Sequence, residues 1–144
     1  MQDLPHHYRV SASAEGANNV IVSSDGLPDL ETAGPPEFGG PGDVWSPETL
    51  LVGAVANCFI LSFRAIARTA RLDWTTLECR VVGELDKIEK FNQFVGFSVR
   101  ASLTIPNEKD RKKAGVILEK AEKYCLVTNS MKAESHLEGE VVVE

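Results

Sequence analysis

Ser46-Pro47-Glu48-Thr49-Leu50-Leu51-Val52-Gly53-Ala54-Val55-Ala56-Asn57-Cys58-Phe59-Ile60-Leu61-Ser62-Phe63 is the run whose reading decides the fold. Ser46 is a good N-cap, Pro47 suits a first helical position whose amide hydrogen would be unpaired anyway, and Glu48 lies where the helix dipole favours an anion. Arg64, Arg68 and Arg71 complement the opposite pole. A helix from Pro47 to Arg71 would be roughly 37 Å long. Its first four turns are apolar on every side, which predicts burial all round. The fifteen uncharged residues between Glu48 and Arg64 fall short of the ~18 to 20 that a bilayer core demands, and Asn57 interrupts them. A buried core helix is therefore expected, and a single small domain does not easily surround it, so a second subunit is expected to cover part of it.

The 144 residues, 43% hydrophobic and 25% charged, are read as one domain, 1–144, with a real core. A formal charge of −6, with basic residues interleaved among acids, argues against nucleic acid or an anionic membrane as partner. Met1-Gln2-Asp3-Leu4-Pro5 has neither a basic nor an apolar leader region, so a cytoplasmic, reducing location is expected. Three cysteines there do not make a disulfide framework.

Either side of the long helix the pattern is extended. Tyr8 to Ala14 alternates, Glu15-Gly16-Ala17-Asn18-Asn19 punctuates, and Val20 to Ser24 resumes, a hairpin signal. Asp25 to Leu30 reads as a turn, and Gly34 to Asp43 as a Pro/Gly loop, either a ligand-facing wall or a plain connector. Thr75 to Asp86 and Val95 to Ile105 alternate with period two and predict a long antiparallel pair. Asn107 is placed to cap a helix from Glu108 to Tyr124, whose Ala114, Ile117, Leu118 and Ala121 recur at helical spacing and lead inward to Cys125. Leu126 to Met131 is a short turn or helix, and Ser135 to Glu144 a last strand. The class is α+β, mainly antiparallel sheet packed on a long buried central helix.

Cys79, mid-strand, reads as core filling. Cys58 and Cys125 each sit on the buried side of a helix, and neither has a CxxC or metal-type spacing. His6, His7 and His136 complete no ligand set, so no metal is expected. Two buried small residues and a working thiol pair both remain open on pattern alone.

Ser46-Pro47-Glu48-Thr49-Leu50-Leu51, Ala54 to Phe59, and Ala121-Glu122-Lys123-Tyr124-Cys125-Leu126-Val127-Thr128-Asn129-Ser130-Met131-Lys132 resemble the OsmC/Ohr family of osmotically inducible and organic-hydroperoxide-resistance proteins, as do Ser23-Ser24-Asp25-Gly26 and Phe38-Gly39-Gly40-Pro41-Gly42. The resemblance implies an OsmC-like fold in an intertwined homodimer, and a thiol peroxidase without cofactor, acting on organic hydroperoxides or hydrogen peroxide and reduced by a dithiol, often lipoyl-linked. Carried over residue by residue, it makes Cys58 the peroxidatic thiolate and Cys125 the resolving thiol. Glu48 matches the carboxylate that holds an arginine near the reactive sulfur. Because burial raises a thiol's pKa, a positive neighbour is expected to offset it.

Ten residues separate Glu48 from Cys58, about 15 Å of helix, so the Glu48 near a given Cys58 is expected from the partner subunit. The chain departs from the family at its arginine, since Asn18-Asn19-Val20-Ile21 holds no basic residue. Arg9 is the first candidate to replace it, with Lys132 and His7 behind. Phe38, Trp45, Leu51, Val55 and Phe59 would wall an apolar pocket. Retention of both thiols in register favours a hydroperoxide reductase; the missing arginine favours a dimer that binds a small hydrophobic ligand or senses redox state.

Overall fold

The computed structural model describes residues 1–144. The chain forms two compact units, Met1–Leu50 and Leu51–Glu144.

The first unit is a three-stranded antiparallel meander of β1 (Ser11–Ser13), β2 (Val20–Ser23) and β3 (Leu30–Thr32). Ser11 faces Ser23 and Val20 faces Thr32. The expected hairpin is therefore present, but Leu30, assigned to a turn, opens a third strand. The turn itself is shorter, with the Leu27 amide donating to the Ser24 carbonyl at 3.1 Å and Gly26 at φ 77°. After β3 the Pro/Gly loop closes on itself: the amides of Phe38 and Gly40 both donate to the Pro35 carbonyl at 2.9 Å. A Cβ on Gly40 would lie 1.6 Å from the Gly34 carbonyl oxygen, so only glycine fits this crossing.

The long helix, α1, spans Pro47–Thr69. Ser46 caps it as expected, its Oγ accepting the Thr49 amide at 3.1 Å, while Thr49 Oγ1 accepts the Ser46 amide at 2.9 Å. This reciprocal arrangement has the logic of a capping box with threonine in the carboxylate's place. The far end stops two residues before Arg71. Arg71 takes φ 54°, and the amides of Arg71 and Leu72 bond back to the carbonyls of Arg68 and Ala67. This is a Schellman closure with arginine where glycine is usual.

In the second unit β4 (Thr76–Ile88) and β5 (Phe91–Ile105) form the expected antiparallel pair, Cys79 facing Ala101, with a bulge at Glu84/Leu85. The last strand, β6 (Glu134–Val143), lies parallel to β5. The sheet is thus mixed, because α2 (Arg111–Lys123) and α3 (Leu126–Asn129) carry the chain back along the same direction before β6 begins. Asn107 does not cap α2 with its side chain; residues 108–110 form a 3-10 turn and the α-helix starts at Arg111.

The core joins the buried face of β5 (Phe97, Val99, Ala101, Leu103, Ile105) to Ala114, Ile117, Leu118 and Ala121 of α2 and to Val55, Phe59, Phe63 and Ala67 of α1. Each large apolar side chain so buried contributes about 1.5–3 kcal/mol. Gly83 makes room for the aromatics, since a Cβ there would lie 2.8 Å from Val52 and 2.9 Å from Phe94. The α1 stripe is narrower than its composition predicts. Although the helix reaches a mean hydropathy of 1.9, only 22% of its most apolar window is buried in the chain, and Leu61 is 50% exposed. Burial on all sides is therefore not achieved by one copy of the chain.

Candidate active site

Cys58 lies in the fourth turn of α1, half-buried, one position from the core stripe. Cys125 follows α2 and precedes α3; it is 2% exposed. The two thiols, 67 positions apart in sequence, lie close enough for each to shift the ionisation of the other, and both are free. The fold brings them together because the inward stripe of α2 ends at Cys125 and the chain then turns sharply.

That turn is held by side chains. Thr128 Oγ1 donates to the Cys125 carbonyl at 3.1 Å, Ser130 Oγ to the Leu126 carbonyl at 2.7 Å, and Asn129 Nδ2 to the Lys123 carbonyl at 3.0 Å. Its Leu126 and Val127 amides face the Cys58 sulfur. Ser62 Oγ, one helical turn after Cys58, stands 3.9 Å from Sγ.

Burial pushes the Cys58 thiol up. The Val127 amide, the Cys125 thiol, the Ser62 hydroxyl and the Leu126 amide stabilise the thiolate, and together they bring Cys58 below the ordinary thiol range. These are neutral donors, where the sequence led us to expect a cation. Cys125 moves the other way: burial raises it, the Thr128 hydroxyl and amide lower it, and the neighbouring Cys58 raises it again, leaving it above the ordinary value. Cys79 is pushed up to about 11, by burial first and Cys125 second. It packs against the core as its strand position predicts.

The order of reactivity follows. Reduced protein titrated with iodoacetamide should be alkylated first at Cys58, with a rate that rises with pH and levels off below the pH at which an ordinary thiol does. Cys79 should respond only as pH approaches about 11. Peptide mapping at each pH checks this; equal profiles for Cys58 and Cys79 would contradict it.

The other expected site residues are distributed as follows. Glu48 is half-buried, and its Oε1 is shielded from solvent with no hydrogen-bond partner in the chain. Ten residues of continuous α1 separate it from Cys58. Arg9 is exposed, its carbonyl accepting from Ser24 Oγ at 2.9 Å; Lys132 and His7 are exposed as well. Phe38 and Trp45 are 58% and 52% exposed, and Leu51 is half-buried. Val55 and Phe59, at 1% exposure, are packed in the core and present no open wall. Their i, i+4 spacing with Phe63 and Ala67 places them on the face turned to the sheet. No three His, Cys, Asp or Glu side chains are grouped so as to hold a metal ion. Ser62 escaped the reading of the sequence although i+4 spacing from Cys58 was visible. The Leu126 and Val127 amides leave no side-chain signal at all.

The family model described as OsmC-like protein matches residues 40–140, which includes both thiols. The chain belongs to the OsmC-like family. Over 96% of its length it is 22% identical to the uncharacterized protein YmaD of Bacillus subtilis, covering 95% of that protein. Among solved structures, an OsmC-like protein of unknown function from Vibrio cholerae superposes with a TM-score of 0.86 at 16% identity, over 94% of this chain and 99% of that one. An organic hydroperoxide resistance protein OsmC from Legionella pneumophila gives a TM-score of 0.76 at 24% identity, over 98% and 100%. The OsmC-like fold is thus shared over nearly all of the chain.

Proposed function

We propose that this OsmC-like protein is a cofactor-free, thiol-dependent reductase of organic hydroperoxides. The observation that carries the reading is the closeness of Cys58 and Cys125 in the fold, and their surroundings favour thiolate at Cys58 and thiol at Cys125. That division suits a nucleophile and its resolving partner. The Cys58 thiolate attacks the terminal oxygen of ROOH. The O–O bond breaks, sulfur is oxidised to Cys58–SOH, and the departing alkoxide takes a proton from water to leave as ROH. Cys125 then attacks the sulfenic sulfur, a disulfide forms and water leaves. An external dithiol, of the lipoyl-linked kind that the family resemblance implies, returns both sulfurs to the reduced state by thiol–disulfide exchange.

An apolar substrate is favoured because Leu51, Ala54 and Leu61 lie on the same side of α1 as Cys58, at spacings of seven, four and three residues. The open faces of α1 support a homodimer in which a second copy covers them. Sedimentation equilibrium should give twice the chain mass of 15.7 kDa; a monomer at micromolar concentration would count against it. The orphaned Glu48 oxygen supports a partner subunit's donor at that point. A cytoplasmic location and a role in the oxidative stress response complete the proposal.

A second reading is a dimer that binds a hydrophobic ligand without turnover, or senses redox state; the exposed Phe38 and Trp45 and the lack of an arginine in β2 favour it. The assay that decides between them is consumption of cumene hydroperoxide with dihydrolipoamide as reductant. Repeated turnover supports the reductase, and stoichiometric binding without loss of peroxide supports the ligand reading.

A further inference from the structure

Two hydroxyl residues in the second half of α1 behave differently. Thr69 Oγ1 donates to the Ala65 carbonyl four residues back at 3.3 Å, the usual resting place of a helical hydroxyl. Ser62 does not make that bond. The one hydrogen bond of its Oγ is with Cys58 Sγ, also four residues back, at 3.9 Å. A hydroxyl that leaves its backbone carbonyl for a sulfur gives up a neutral acceptor, and the exchange is most favourable when the sulfur is charged, because hydrogen bonds to ions are the stronger kind. Ser62 is half-buried, so water competes with the contact only in part.

We propose that Ser62 is a catalytic hydroxyl of this site: it donates to the Cys58 thiolate and stabilises the charge on the sulfur. The inference rests on the reductase reading for its reaction, and extends it by naming a group that reading did not include. The thiolate then has two sets of neutral donors, Ser62 on its own helix and the Leu126 and Val127 amides of the turn after Cys125. Attack on ROOH discharges the sulfur, so the Ser62 contact is strongest in the reduced enzyme and weakens once Cys58–SOH has formed. Ser62 accordingly governs the first step and leaves the second, in which Cys125 attacks, little changed.

The test uses the full reduced chain and iodoacetamide, a probe that needs no peroxide chemistry. Cys58 alkylation is followed by peptide mapping across pH in the native protein and in Ser62→Ala. Removing the hydroxyl should move the rise of the Cys58 profile to higher pH and slow alkylation at neutral pH roughly threefold to tenfold, the size of one ordinary net hydrogen bond, since this contact is long and half-buried. Ser62→Thr and Ser62→Val, equal in shape, repeat the comparison should alanine disturb packing. Thr should keep the native profile and Val should match Ala. Identical profiles for Thr and Val, or no shift in Ala, would overturn the proposal. Cumene hydroperoxide consumption, run in parallel, separates the two levels. If the native chain consumes none while the alkylation shift is present, the reductase reading fails and the Ser62–Cys58 coupling stands. If peroxide is consumed at equal rates by native protein and Ser62→Ala, the reading stands and the role of Ser62 falls.

Discussion

Cys58→Ser should abolish hydroperoxide consumption, lowering the rate on the order of a thousandfold or more, because an alcohol at neutral pH is neither ionised nor polarizable enough to displace an alkoxide from oxygen. The donors that stabilise the Cys58 thiolate cannot compensate. Two amides, a thiol and a hydroxyl bring a thiol below its ordinary range; an aliphatic alcohol starts many powers of ten further away. Substitution at Cys125 separates the two steps. Cys125→Ser leaves a donor beside Cys58, so attack on peroxide should continue for one turnover, after which Cys58–SOH accumulates and can be trapped with dimedone. Cys125→Ala removes that donor too, and should slow the first step roughly threefold to tenfold. Stopped-flow measurement of a single turnover checks both. Continued multiple turnover in Cys125→Ser with the same reductant would show that the external dithiol resolves the sulfenic acid directly.

The second large effect is on stability. Phe59→Ala should destabilise the chain by about 3–5 kcal/mol, the usual cost of emptying an aromatic position that the surroundings cannot refill. For a chain of 144 residues this is a fall in Tm of roughly 10–15 °C. Phe59 is 1% exposed and packs among the aromatics and aliphatics of the core. A pocket wall at the same position would behave otherwise, raising KM for bulky hydroperoxides with Tm almost unchanged. Thermal unfolding by circular dichroism, set beside KM for cumene and tert-butyl hydroperoxides, distinguishes the two roles.

Phe59 also marks what the sequence could and could not carry. Its neighbourhood is apolar on every side, so the run announces burial without saying which side meets the sheet. The direction is set only when β5 supplies Phe97 and Leu103 and α2 supplies Leu118. The elements themselves were legible: the Ser46 cap, the β4–β5 alternation and the Ala114 to Ala121 stripe all appear where the patterns place them. The end of α1 was not, because arginine occupies the left-handed position at residue 71 that glycine normally signals. Nor was β6's direction, which depends on the α2–α3 crossover and not on the strand's own residues.

At the candidate site the thiols were legible and their electrostatics were not. The sequence shows a missing arginine and suggests a sulfur left without help. The fold brings up neutral donors instead, the Cys125 thiol, the Ser62 hydroxyl and two backbone amides, and an amide is carried by every residue but proline and recorded by no side chain. Glu48, by contrast, was read as a partner for an arginine, and its shielded oxygen has no donor within the chain.

The most direct measurement is a product map. Reduced protein is mixed with one equivalent of cumene hydroperoxide, quenched with acid after seconds, digested and analysed by mass spectrometry. The expected product is a Cys58–Cys125 disulfide with Cys79 still a free thiol. Unchanged thiols after minutes, or oxidation at Cys79 ahead of Cys58, would contradict the assignment of Cys58 as the peroxidatic sulfur.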